Sequence, residues 1–126
     1  MPTILVVEDD LDMRAMYRLG LETAGFEILE ASSAGTALDL AHERMPHLVV
    51  ADLMLGSSSG ADLCRALRRD PVLRAIPIVV VSGVSGEAAR VMVRDAAPDA
   101  VLAKPLDFSE FTALCRALCR RISTAS

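Results

Sequence analysis

Two kinds of segment alternate along this chain of 126 residues. Short runs of β-branched and other apolar residues are typical of buried strands, and between them apolar residues recur at the three- and four-residue spacing of helices. The pattern predicts strands at residues 3–7, 26–31, 48–51, 78–81 and 100–103. It predicts a helix after each strand, at residues 11–24, 34–44, 61–69, 87–96 and 108–121.

Alternating strands and helices of this length favour a parallel sheet with helices on both faces, because parallel neighbours need a long crossover connection. We therefore predict an α/β fold, open and doubly wound. Residues 1–121 are expected to form one domain, since a chain of this size buries one substantial core, and residues 122–126 are expected to be a frayed tail. The serine-rich stretch from Gly56 to Gly60 indicates a loop.

Composition narrows the class of protein. Apolar residues make up 52% and charged residues 24%, the balance of an ordinary globular domain. The formal net charge of −4 argues against direct binding to nucleic acid. The first apolar run, Ile4 to Val7, matches neither a signal peptide nor a membrane span, so we predict a cytoplasmic protein with no membrane contact. The cysteines lack metal-type spacing and are expected to be reduced, packed thiols: Cys64, Cys115 and Cys119.

Chemistry is expected just beyond the carboxyl ends of the strands, where ligands bind in open α/β sheets. Three carboxylates brought together there repel one another, and a hard divalent cation with oxygen ligands relieves the repulsion. Magnesium fits best, because it takes carboxylates together with phosphate oxygens, while a lysine and a hydroxyl bind the other phosphoryl oxygens. This set suits phosphoryl transfer to a carboxylate. Its members are Glu8, Asp9, Asp52, Ser82 and Lys104.

Four motifs, in this order and at these spacings, resemble one known family. Each is weak alone, since an acidic pair after a strand or a Lys-Pro dipeptide occurs by chance. Together they resemble the receiver domain of response regulators in two-component signalling, of the chemotaxis-receiver type, over nearly the whole chain. The resemblance implies a five-stranded sheet with the flavodoxin-like strand order 2-1-3-4-5. The motifs are Ile4-Leu5-Val6-Val7-Glu8-Asp9-Asp10, Asp52-Leu53-Met54-Leu55 with Gly60, Val81-Ser82-Gly83 and Lys104-Pro105.

The resemblance implies a magnesium site and a phosphoacceptor. Asp52 is the residue that would accept the phosphoryl group. Glu8 and Asp9 form the acidic pair that holds Mg²⁺, and Asp52 completes the carboxylate ligands. The backbone carbonyl of Met54 is a further ligand. Asp10 matches no ligand position and is expected to cap the first helix.

The resemblance also implies how the site responds. Ser82 is the switch hydroxyl and Lys104 contacts the phosphoryl group, and both move onto its oxygens to favour the active state of a two-state domain. The Lys104–Pro105 peptide bond is expected to be cis. The domain catalyses its own phosphorylation and dephosphorylation and is otherwise no enzyme.

The implied partners follow from the same resemblance. A histidine kinase or a histidine phosphotransfer protein gives the phosphoryl group. A downstream protein target, or an output domain beyond this chain, receives the signal. The resemblance also leaves a weak homodimer as an open alternative.

Two positions depart from the family pattern. Gly56 stands where the family usually has proline, and Val101 stands where it commonly has an aromatic residue, three positions before Lys104. A short β-branched side chain cannot swing as an aromatic ring does. Coupling from Ser82 must therefore use backbone movement or another residue, and Leu102 and the loop at Val84 are the candidates. We expect backbone movement in the segment after the fourth strand, from Gly83 to Gly86.

Two other classes of function stay open at this point. The first is a phosphorylation-independent interaction domain of the same fold, which the two departures would suit and the intact acidic residues argue against. The second is an α/β enzyme, or a nucleotide or flavin binder, since fold alone does not fix function. The chain has neither a G-x-x-x-x-G-K-[ST] nor a G-x-G-x-x-G motif after the first strand, which argues against that class.

Overall fold

A computed structural model describes residues 1–56, 58–84 and 86–125, with side chains up to residue 120. The strands are β1 (Thr3–Val7), β2 (Glu27–Ala31), β3 (Leu48–Asp52), β4 (Met54–Leu55), β5 (Ser58–Ser59), β6 (Ile78–Ser82) and β7 (Ala100–Ala103). The helices are α1 (Leu11–Thr23), α2 (Ala34–Arg44), α3 (Gly60–Arg69), α4 (Gly86–Met92) and α5 (Phe108–Ala125).

The main sheet has five parallel strands in the order β2-β1-β3-β6-β7. With the two-residue strands β4 and β5 left out, this is the predicted order 2-1-3-4-5, and the α/β doubly wound fold is confirmed. All five predicted main strands are present, and their ends differ from the prediction by one residue at most.

Three details of the prediction were wrong. The stretch expected to be a plain loop contains an antiparallel pair, in which Met54 faces Ser59 and Leu55 faces Ser58. Helix α4 ends at Met92 instead of residue 96, because turns follow and Ala97 takes a left-handed φ of 52°. Helix α5 continues to Ala125, past the predicted end at residue 121. The expectation of a frayed tail at 122–126 concerns residues whose side chains lie outside the described part, and it stays a prediction.

Successive side chains of each strand point to opposite faces of the sheet, and helices bury both faces. One face packs against α1 and α5, and we call this the α1/α5 face. It carries Ile4, Val6, Leu48, Val50, Val79 and Val81. The opposite face packs against α2, α3 and α4. It carries Leu5, Val7, Val49, Ala51, Ile78 and Val80.

Two smaller expectations are confirmed. The Asp10 carboxylate caps α1, accepting hydrogen bonds from the backbone N–H groups of Asp12 at 2.8 Å and Met13 at 3.2 Å. No disulfide joins the three cysteines, and all three are buried in the core. Within the residues that the structure describes, no helix is long and apolar enough to span a membrane.

Helices α1 and α5 are joined by three aromatic rings. The Tyr17 ring lies 5.9 Å from that of Phe111 and 6.3 Å from that of Phe108, and the two phenylalanine rings are 5.7 Å apart. Phe108 fits against α1 because Gly20 has no side chain: a Cβ there would lie 2.6 Å from the Phe108 ring. A glycine inside a helix is unfavourable, so the close ring contact explains its presence.

We predict that Gly20→Ala destabilises the fold by about 1–3 kcal/mol, because the added methyl group displaces the Phe108 ring. The matched control is Gly35→Ala on α2, where a Cβ would have no atom within 4 Å. That change should stabilise the fold by about 0.5–1 kcal/mol through helix propensity alone. Urea unfolding monitored by circular dichroism measures both, and a stabilised Gly20→Ala variant would refute the packing argument.

Candidate functional site

Glu8, Asp52 and Lys104 meet at the carboxyl edge of the sheet, on its α1/α5 face. The side chains continue the alternation of their strands, two residues after Val6, Val50 and Leu102. The backbone hydrogen bonds of the parallel sheet also continue beyond the ends of β1 and β7. The Glu8 N–H donates to the Ala31 carbonyl at 3.0 Å, and the Lys104 N–H donates to the Ser82 carbonyl at 2.8 Å.

Asp52 is buried, with 5% of its surface exposed. Its Oδ1 accepts a hydrogen bond of 2.9 Å from the Met54 N–H. Its Oδ2 pairs with the ammonium group of Lys104, which keeps part of its side chain in solvent. Partial burial works to lower the pKa of Lys104, but the hydrogen bond and the charge of Asp52 outweigh it, so the pKa is raised. The phosphoacceptor candidate is therefore held by a cation and a backbone donor.

Glu8 is a second buried carboxyl group, 2% exposed, beside Asp52. Burial, followed by the hydrogen bond and the charge of Asp52, raises the pKa of Glu8 to about 8. Its Oε2 has no hydrogen-bond partner among the described residues. Arg14 fixes the backbone here by donating to the Glu8 carbonyl at 3.0 Å. The site thus holds two buried carboxyl groups and one ammonium group.

Asp9 is exposed and lies beside Gly56. A Cβ at residue 56 would come within 3.1 Å of Asp9 Oδ2. Gly56 has a left-handed φ of 63°, whereas proline is fixed near −65°. The departure from the family's proline is therefore a requirement of this loop's backbone.

The structure brings together some of the predicted metal ligands. Glu8 contacts Asp52, while no three Asp, Glu, His or Cys side chains in the described ranges already stand in a metal-binding arrangement. The donor set nevertheless fits a hard cation, because oxygen ligands and an unpartnered carboxylate oxygen are what magnesium takes. For Met54 the structure shows the N–H bond to Asp52, and the ligand role of its carbonyl stays a prediction.

Ser82 and Val101 belong to the face of the sheet opposite the acidic pair. Val80, two residues before Ser82, and Val101 itself both pack into the core beneath α2, α3 and α4. Ser82 is 1% exposed, and its Oγ accepts a hydrogen bond of 3.0 Å from the Val84 N–H. The hydroxyl that the sequence predicts to be the switch thus bonds to the segment after β6. The Lys104–Pro105 peptide bond is cis, as predicted.

Sequence reasoning missed Tyr17. Its side chain is 1% exposed, and its hydroxyl has no hydrogen-bond partner among the described residues. The one available signal was that it is the only tyrosine of the chain. Its burial depends on how α1 packs against α5, which the sequence pattern does not show.

The chain is similar to known proteins along nearly its whole length. The family model of the response regulator receiver domain matches residues 4–116. The phosphate regulon transcriptional regulatory protein PhoB of Pseudomonas aeruginosa is 34% identical over 119 residues, covering 94% of this chain and 52% of PhoB. The DNA-binding dual master transcriptional regulator RpaA of Synechocystis sp. is 33% identical over 121 residues, covering 96% and 50%.

A solved structure supports the fold. The crystal structure of a response regulator receiver domain protein from Clostridium thermocellum superposes with a TM-score of 0.90 and 20% identity, covering 100% of both chains. At that identity the likeness concerns the fold alone.

The chain belongs to the response regulator receiver domain family and is a receiver domain of two-component signalling. Response regulators act with histidine kinases, and this membership favours neither a phosphorylation-independent domain nor a nucleotide-binding enzyme. The chain spans about half the length of the curated relatives it matches. Because those relatives are named as transcriptional regulators, the expected absence of nucleic-acid binding stays a prediction.

The backbone of Asp52 lies against Gly60 at the start of α3. A Cβ on Gly60 would come within 2.2 Å of the Asp52 carbonyl oxygen. The Gly60 N–H also donates to the Leu53 carbonyl at 2.8 Å. Glycine at residue 60 therefore lets α3 begin directly against the candidate phosphoacceptor.

We predict that Gly60→Ala destabilises the fold by about 1–3 kcal/mol, because the contact is with backbone that has little room to move. Gly83→Ala is the control, since a Cβ at residue 83 would meet nothing within 4 Å. The control should stay within about 0.5 kcal/mol of the wild type. Thermal unfolding measures both variants, and equal stabilities would contradict the close approach.

Proposed function

We propose that Asp52 accepts a phosphoryl group in line from a phosphohistidine of a partner kinase or phosphotransfer protein, or from a small phosphodonor. The observation that carries the proposal is the buried Asp52 carboxylate, paired with Lys104 and adjacent to Glu8. The Asp52 carboxylate, held by the Lys104 ammonium at the edge of the sheet, is positioned to attack the phosphorus atom of the donor. Positioning and electrostatics supply most of the catalysis in phosphoryl transfer.

Glu8, Asp9 and Asp52 hold Mg²⁺ in this proposal, together with the Met54 carbonyl. The unpartnered Oε2 of Glu8 supports it as an open ligand position, and the raised pKa of Glu8 supports it because the ionised form of this carboxyl group lacks a balancing cation. When bound, Mg²⁺ neutralises charge on the carboxylates and the phosphoryl oxygens. Asp9 is exposed, so its carboxylate is free to turn toward the other two.

Lys104 and Ser82 stabilise the phosphorylated state. The Lys104 ammonium leaves Asp52 Oδ2 for a phosphoryl oxygen, which keeps its positive charge beside negative charge. Ser82 Oγ turns to the phosphoryl group and gives up its bond with the Val84 N–H. The backbone after β6 then shifts, and the active state of the domain gains population.

Catalysis by this domain is limited to its own phosphorylation and dephosphorylation. The output is a contact with a downstream protein target or with an output domain. The curated relatives are about twice as long as this chain and are named as transcriptional regulators, which supports this part of the proposal.

Asp52→Asn should abolish phosphorylation. Wild-type protein incubated with Mg²⁺ and a small phosphodonor should gain one phosphate by intact-mass spectrometry. The amide of Asn is a poor nucleophile and leaves the fold intact. Asp39→Asn, an exposed carboxylate on α2, is the matched control and should still gain the phosphate. A phosphate that persists in Asp52→Asn would sink the assignment.

Asp9→Ala should remove measurable Mg²⁺ binding while the fold stays intact, because Asp9 is exposed and its loss leaves no cavity. Magnesium titration followed by amide NMR shifts measures the affinity. Asp12→Ala removes an exposed carboxylate from the first turn of α1 and should leave the affinity unchanged. Equal affinity of Asp9→Ala and the wild type would refute the ligand role.

Beryllofluoride, which mimics a phosphoryl group on Asp52, should displace the segment after β6. Amide NMR signals of residues 82–87 should shift more than those around Val101, because Ser82 gives up its bond to Val84 and Gly83 has open space around it. Large shifts centred on β7, with unchanged signals after β6, would show that the coupling route is wrong.

A further inference from the structure

The hydroxyl of Tyr17 is a polar group buried without a partner. Buried hydroxyls nearly always make a hydrogen bond. The Tyr17 ring packs against Phe108 and Phe111. Tyr17 Oη and Glu8 Oε2 are the two buried side-chain atoms lacking a hydrogen-bond partner within the described ranges. One of them is a donor and the other is an acceptor.

Tyr17 and the acidic site share one face of the sheet. Tyr17 packs with Ile4, Val6 and Val50 in the core beneath α1 and α5. Glu8 and Asp52 follow Val6 and Val50 by two residues, so their side chains point to that same face. Ser82 belongs to the opposite face. The acidic pair therefore stands at the carboxyl edge of the core that contains Tyr17.

The direction of α1 turns the tyrosine toward this edge. The helix begins at Leu11, just after β1 ends, and its side chains tilt toward that first turn. Burial raises the pKa of Tyr17, and the charges of Asp52 and then Glu8 raise it further. The shared core and the direction of α1 thus place the Tyr17 side chain on the same side of the sheet as the two carboxylates.

We propose that Tyr17 is a positioning residue of the phosphoryl-transfer site, whose hydroxyl donates a hydrogen bond to Glu8 Oε2 once Mg²⁺ is bound and orients that carboxylate toward the cation. This inference rests on the proposed function. Ligand-orienting hydrogen bonds of this kind change metal affinity by about 10- to 100-fold. No described side chain satisfies this oxygen of Glu8 in the metal-free structure.

The role gives Tyr17 a spectroscopic signature. The chain has one tyrosine and no tryptophan, so its intrinsic emission comes from Tyr17 alone. A hydrogen bond from a tyrosine hydroxyl to a carboxylate quenches that emission. Magnesium should therefore lower the emission of the wild type, and it should leave the emission of Glu8→Gln unchanged.

Magnesium titration of the wild type and Tyr17→Phe, followed by amide NMR shifts, tests the inference. Tyr17→Phe keeps the ring and should bind Mg²⁺ about tenfold more weakly, while its thermal unfolding without Mg²⁺ should not fall. Thr112→Val is the matched loss of a hydroxyl. Thr112 Oγ1 donates to the Phe108 carbonyl at 2.8 Å within α5, so its loss should leave the affinity unchanged.

The outcomes separate the two claims. A wild type that binds Mg²⁺ no better than Tyr17→Phe, or whose tyrosine emission ignores Mg²⁺, would overturn the role of Tyr17 and leave the proposed function standing. A wild type that binds no Mg²⁺ at all would overturn both.

Discussion

The pairing of Asp52 with Lys104 beside a buried Glu8 is the interaction on which the site depends. The two carboxyl groups have only a few per cent of their surface exposed, and the ammonium group beside them pairs with Asp52. Burying unbalanced negative charge is costly, and the raised pKa of Glu8 expresses that cost. The ionised form of Glu8 is therefore disfavoured in the metal-free site, and the proposed divalent cation would supply the missing positive charge.

Three glycines allow the close contacts that hold this arrangement. Gly60 lets α3 begin against the Asp52 carbonyl, and Gly56 lets the loop turn beside Asp9. Beneath the acidic pair, Gly20 admits the Phe108 ring between α1 and α5, which in turn fixes Tyr17. The polar site thus has the aromatic core on the α1/α5 face of the sheet and the Ser82 hydroxyl on the opposite face.

The sequence predicted the parts of the molecule that local patterns determine. The five strands are β-branched runs, and the charged residues at their ends converge because parallel strands end at one edge. The β4–β5 pair was missed because two-residue strands carry no periodicity. Helix α4 was predicted to end at residue 96 because Val93 and Ala96 follow helical spacing. In the structure the chain forms turns at these residues, and both side chains are buried. The role of Tyr17 was hidden because its environment is made by helices distant in sequence.

A crystal structure with Mg²⁺ and beryllofluoride tests the central claim most directly. We predict that the cation is bound by the carboxylates of Glu8, Asp9 and Asp52, and that the Lys104 ammonium has moved from Asp52 to a fluoride. An Asp52–Lys104 pair that stays unchanged, with no cation among the three carboxylates, would contradict it.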